Sequence, residues 1–238
     1  MAIDWGRAVI GQLDFYWDHH LRPRLEGLSD DEYFWEPVDG CWSLRPRGDG
    51  RWRMDGAGGP GVSGPFTTLA WRMTHLSVSA FESRYRAFFG GEGPDQWAPG
   101  ARLLADGRLP GSADDAVTYL EAALSRWRDA LRALDADALG APLGPKGGDF
   151  AEQTMGELVI HLNRETMHHG GEICLLRDLY RDRRVRAGVG DDARGGDDAR
   201  GGDDAREGDD AAEGDNAPEG DARPRKGDQA QPPLLHRQ

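Results

Sequence analysis

Glu165 and His169 stand four residues apart in the run HLNRETMHHGGEI, on a stripe that helical spacing reserves for apolar side chains. Met155, Leu158, Val159, Leu162, Ile173, Leu176 and Tyr180 recur at the i, i+3, i+4 intervals of one helix face. At the helical angle, Glu165 and His169 fall inside or at the edge of that face. A carboxylate withdrawn from water without a partner is strongly destabilising, so something must compensate it. Side chains at i and i+4 start from Cβ atoms about 5–6 Å apart, and both can reach one ion. A Glu–His hydrogen bond at a wet helix edge explains the same spacing, and two donors alone do not choose between them.

A third donor is His75, in FTTLAWRMTHLSVSAFESRYRAFF. Trp71, Val78, Phe81, Tyr85 and Phe88 form the apolar band of that segment, and His75 lies at its margin. A single histidine in such a place is more often a hydrogen-bonded boundary residue than a ligand. Its weight comes from the later pair. His75, Glu165 and His169 together supply two neutral imidazoles and a carboxylate. That set is typical of catalytic metal sites, which keep open positions for water or substrate.

Other chemistry-bearing residues read as structural. His168 and His161 project to the flanks of the Glu165–His169 face, where solvated histidine is the commoner state. His19 and His20 are adjacent and point in different directions. Cys41 and Cys174 make no disulfide framework and read as packed thiols. Arg45, Arg47, Arg51 and Arg53 form a basic cluster that is either a solvated loop, the favoured reading, or an anion clamp.

The elements that must position the three donors are helical. Val9, Leu13, Tyr16, Trp17 and Leu21 mark a first helix over about residues 3–25, ended or bent by Pro23. A second helix is expected over about 66–89. A third starts at Ser112, with Asp114 and Asp115 in its first turn and Val117, Leu120, Leu124, Trp127, Leu131 and Leu134 as its stripe. Thr154 and Glu157 form a capping box for a fourth, which continues to about Asp182. The segment LEGLSDDEYFWEPVDGCWSLRP reads as a loop with one helical turn at Asp30–Phe34, residues 45–65 as a long loop, and GEGPDQWAPGARLLADGRLPG as an irregular connection. No segment alternates with the period of a strand. The expected fold is all-α, a four-helix bundle with long inter-helix loops.

From about Val189 the chain turns into a degenerate six-residue repeat, with starts at Gly190, Gly196, Gly202, Gly208, Gly214 and Gly220. Leu234 and Leu235 are its only large aliphatic residues and it has no aromatic, so it cannot offset its chain entropy by burial. The expected division is therefore a bundle over 1–186 and a disordered acidic tail over 187–238. Residues 188–238 hold 14 acidic and 7 basic side chains, a net of −7 out of −13 for all 238 residues. The remainder is only mildly acidic, which argues against a nucleic-acid surface. No run approaches the ~20 apolar residues of a membrane span and no signal-peptide core opens the chain, so a cytoplasmic protein without a membrane partner is expected.

These residues resemble the DinB/YfiT-like superfamily of metal-binding four-helix bundles, over about residues 4–183. The signature there is a histidine on the second helix and a fourth-helix motif that commonly reads N-H-x-x-H-H-x-G-Q. Here the motif stands as Asn163-Arg164-Glu165-Thr166-Met167-His168-His169-Gly170-Gly171-Glu172. Anchored on its His-His-x-Gly end, it puts the ligand positions on Glu165 and His169, with His75 the remaining one. Glu165 lies one residue later than a strict match to Asn163 would place it. Many members carry three histidines, and His–Glu–His is similar to the mycothiol-dependent maleylpyruvate isomerase branch. The resemblance implies a divalent ion and a low-molecular-weight thiol, mycothiol or bacillithiol, held as thiolate to attack a small-molecule electrophile. Zinc suits the donor set best, and nickel, iron and manganese also accept it. The runner-up enzyme is a metal-dependent hydrolase, and the reading from another class is a metal-binding stress or sensor protein without turnover. A homodimer is one assembly open to such a bundle.

Overall fold

The computed structural model describes residues 4–56 and 66–194, with 184–194 as backbone only. The chain divides between Gly188 and Val189. The acidic repeat expected to be disordered lies, from residue 195 on, outside the described residues.

Four long helices build the fold. The first runs through Trp5–Tyr16, a π-helical stretch Trp17–Leu21 and a last turn Arg22–Arg24. The second comprises Leu69–Thr74, a π-helical stretch His75–Glu82 and Ser83–Phe88. The third is Ala113–Arg132 and the fourth Met155–Arg194. Each start has a local cause. Thr68 accepts the Trp71 amide, and Ser112 accepts that of Asp115. The capping box forms in full: the Thr154 amide donates to Glu157 Oε2 at 2.7 Å and the Glu157 amide to Thr154 Oγ1 at 3.2 Å. The fourth helix continues past its expected end at about Asp182 to Arg194.

Side-chain pairs fix how the helices are arranged. Asn163 donates to the Val9 carbonyl, Tyr16 to that of Met167, and Arg24 to Asp178, so the first and fourth helices run parallel. Arg128 pairs with Asp14 and Arg22 with Glu121, which makes the third antiparallel to the first. Arg72 pairs with Glu172, and His75 faces Glu165 and His169, which makes the second antiparallel to the fourth. The buried Glu82 takes Arg126 from the third helix and Arg86 from its own, closing the ring of four. Leu13, Leu21, Leu76, Phe81, Leu120, Trp127, Val159, Leu162 and Ile173 fill the centre and are fully buried. This is the expected all-α bundle.

Two connections differ from the sequence reading, and a third agrees with it. Residues 45–65 are not simply a loop: Leu44–Pro46 and Trp52–Met54 pair as an antiparallel hairpin. Strands of three residues are too short to show alternation. The segment read as an irregular connection contains a helix, Ala98–Asp106. Its density of glycine and proline hid it, yet both serve as punctuation: Asp95 Oδ1 accepts the Trp97 and Ala98 amides at 2.9 Å, Pro99 sits in the first turn, and Gly107 ends the helix at φ 77°. The helical turn expected at Asp30–Phe34 forms as Asp30–Tyr33 behind a Ser29 cap. Its Glu32 is buried and receives Arg177 of the fourth helix at 2.7 and 3.1 Å.

Candidate metal centre

His75 is the first residue of the π-helical stretch in the second helix. There the Ser83 amide bonds back to Val78, and the wider turn re-aims the side chains before it. The ring is set from behind. Trp71 stacks on His75 with centroids 5.2 Å apart and planes 5° from parallel, and its Nε1 donates to the Asp55 carbonyl at 2.8 Å. The hairpin connection thus holds the tryptophan that orients the histidine.

The fourth helix presents Glu165 and His169 one turn apart, opposite His75. Glu165 Oε2 lies 3.4 Å from His75 Nε2 and 3.5 Å from His169 Nε2. The two rings meet edge to face at 4.8 Å. Donor atoms of all three residues fall within 4.8 Å of one another. Two atoms each about 2.1 Å from a tetrahedral ion stand about 3.4 Å apart. The measured separations therefore fit one ion. His75 and Glu165 are each 28% exposed and His169 16%, so the donors are sheltered but open on one side. The carboxyl of Glu165 is held well below its ordinary range, first by His169 and then by His75, against the opposing effect of burial.

A second cluster, His168, His169 and Glu172, shares one histidine with the first. Its chemistry is different. Glu172 is paired with the buried Arg72 guanidinium, and its Oε2 accepts His169 Nδ1 at 2.7 Å. A carboxylate already neutralised by arginine makes a poor ligand. It stands where an outer carboxylate stands for a metal-binding histidine, against Nδ1, while Nε2 faces Glu165. Glu172 was not singled out from the sequence, although it occupies the glutamine position of the motif and lies one turn from His169.

The remaining candidates have ordinary roles. His168 is exposed and bonds Glu172 at 3.2 Å. His161 Nδ1 is 4.0 Å from Glu165 Oε1 and receives Arg164 at 2.9 Å, and burial lowers its pKa. Cys41 is buried and donates to the Val38 carbonyl. Arg45 is held between Glu36 and Asp55, Arg53 pairs with Asp55, Arg51 with Asp106, and Arg47 donates to the Ala105 carbonyl. That cluster ties the hairpin to its surroundings. A cleft of 1070 Å³ lies elsewhere, between the starts of the first and fourth helices, lined by Trp5, Val9, Leu139 and Ile160.

Fold and site together define a helical bundle with a His–Glu–His donor set at the junction of its second and fourth helices. The model of the DinB superfamily matches residues 12–173, and the chain belongs to that superfamily. No curated protein and no solved structure matches it. Among the described residues, no helix is long and apolar enough to cross a membrane.

Proposed function

We propose that the chain binds one divalent ion, zinc foremost, through His75, Glu165 and His169, and serves as a thiol-dependent S-transferase or isomerase. The thiol is of low molecular weight, mycothiol being the type, and its partner is a small-molecule electrophile. The supporting observation is the meeting of two imidazoles and an anionic carboxylate at separations of 3.4 and 3.5 Å. When bound there, a divalent ion lowers the pKa of a thiol or water that joins it.

The chain's own residues supply the rest. Glu172 bonds Nδ1 of His169, and Arg72 holds Glu172, so the imidazole is kept aimed. Trp71 keeps the His75 ring in one plane and forms an apolar wall beside it with Trp42, whose ring lies 6.1 Å away. The single carboxylate lowers the charge of the site from that of a three-histidine set, which tunes how strongly thiolate is favoured.

The test has two stages. Elemental analysis of protein purified without added metal should find one divalent ion per chain. The loaded protein should then conjugate a generic electrophile with mycothiol, bacillithiol or glutathione, and a chelator should stop it. Hydrolysis of activated esters without thiol conjugation would move the assignment to the hydrolase. Metal binding with neither activity would move it to a non-enzymatic metal-binding protein.

A further inference from the structure

The first and fourth helices are apolar on their outer face as well as their inner one. On the first, Trp5, Ala8, Gln12, Phe15 and His19 recur at intervals of three and four residues, and all are exposed. On the fourth, Ile160, Arg164, Met167 and Leu175 share the outer side, exposed apart from the half-buried Met167. The opposite sides already fill the core, through Leu13 and Trp17 on one helix and Leu162 and Ile173 on the other. The two outer stripes lie side by side, since Asn163 bonds the Val9 carbonyl and Tyr16 that of Met167. A helix that is apolar on two opposite sides is normally covered on both.

Area and charge both point to a second copy as the cover. Trp5, Phe15, Ile160 and Leu175 are between 51% and 69% exposed. At about 200 Å² for a large side chain, they offer about 500 Å² of apolar surface. Homodimer interfaces are about 65% apolar, so this face corresponds to about 750 Å² per copy, close to the roughly 800 Å² of a standard interface. The face also changes sign along its length. Asp4 and Glu157 stand exposed at the helix starts. At the other end Asp178 lies between Arg24 and Arg181, at 2.6 and 2.8 Å, which leaves one positive charge over. Because the helices run parallel, a two-fold axis near Gln12 and Met167 lays the acidic end of one copy against the basic end of the other. The same placement brings the cleft beside Trp5 and Ile160 against the Leu175 end of the second copy. An anionic lipid surface is a poor alternative cover for a chain of net charge −13.

We propose that this outer face is the interface of an isologous homodimer, in which the first and fourth helices of one copy pack antiparallel on those of the other. The inference is independent of the metal centre.

Sedimentation equilibrium of the full chain tests it, at about 0.15 M salt to screen the repulsion between two acidic copies. The wild-type protein should be dimeric, with a dissociation constant of about 1 μM or below. Ile160→Glu and Leu175→Glu change exposed positions, so each should leave the melting temperature of the monomer unaltered and weaken the dimer about 30-fold or more. Val38→Glu, at an exposed apolar residue of the connection before the hairpin, should leave the dimer intact. Arg181→Glu reads the orientation and should weaken the dimer about threefold to tenfold; it also serves if an apolar position does not tolerate its change. A wild-type protein that stays monomeric at about 100 μM, whether or not it sediments with phosphatidylcholine vesicles, would overturn the proposal. So would a dimer that withstands both Ile160→Glu and Leu175→Glu, and a dimer indifferent to Arg181→Glu would overturn the antiparallel placement.

Discussion

At the scale of single residues, the three donors were legible in the sequence because each breaks a local rule. Glu165 and His169 interrupt an apolar face, and His75 sits one turn after Trp71 at the edge of another. What supports them was not legible, because Glu172 and Arg72 are ordinary helix-surface residue types until the second and fourth helices are placed side by side. The supporting carboxylate makes a sharp prediction. Glu172→Gln preserves shape but weakens the hold on the His169 tautomer, so metal affinity should fall about 10- to 100-fold in a competition titration with a chromophoric chelator. An unchanged affinity would remove Glu172 from the centre. The Glu165 carboxyl gives a second expectation, in the metal-free protein. Its pKa is depressed in the fold by His169 and His75, so its stabilising contribution is whole above the ordinary value of 4.5 and is lost as pH falls below it. Glu165→Gln should therefore flatten the acid limb of melting temperature against pH; a limb as steep as that of the wild type would place the acid sensitivity elsewhere.

At the scale of elements, the long helices were read from periodicity and caps, and Ser112 and Thr154 start them as read. The hairpin and the helix Ala98–Asp106 were missed for want of length and by weighing glycine and proline as breakers only. The π-helical stretches carry no periodic mark of their own, since a wider turn shifts the register without changing composition. Close helix approach also hides in the sequence, and two neighbouring glycines expose it. A Cβ on Gly170 would lie 2.5 Å from the Tyr16 hydroxyl oxygen, whereas one on Gly171 would meet nothing within 4 Å. Both are helical, so alanine gains up to about 1 kcal/mol in propensity at either place. At Gly170 the clash with the first helix outweighs that gain, and Gly170→Ala should cost about 1–3 kcal/mol. Gly171→Ala should be neutral or stabilising. Chemical denaturation of the two variants separates them, and equal behaviour would mean that the first and fourth helices are not in close contact there.

At the scale of the whole bundle, the first and fourth helices run one way and the second and third the other, and the four close into one ring, with charged pairs such as Glu82–Arg126 and Arg24–Asp178 joining neighbours around an apolar centre. The sequence could not order these helices, because amphipathic stripes say which face is buried and not against what. The six-residue repeat is the opposite case: composition alone argues that it adds nothing to such a core. We propose that it is dispensable for the fold. Truncation after Arg194 should leave helical content and melting temperature within a degree or so. A loss of several degrees would show that the repeat packs on the bundle.

The central claim is the metal centre, and metal stoichiometry tests it most directly. Wild-type protein, purified without added metal and then equilibrated with zinc, should retain about one ion per chain after dialysis, and His169→Ala should retain none, with His236→Ala as the unaffected control. Full occupancy in His169→Ala, or an empty wild-type protein, would contradict the assignment of His75, Glu165 and His169.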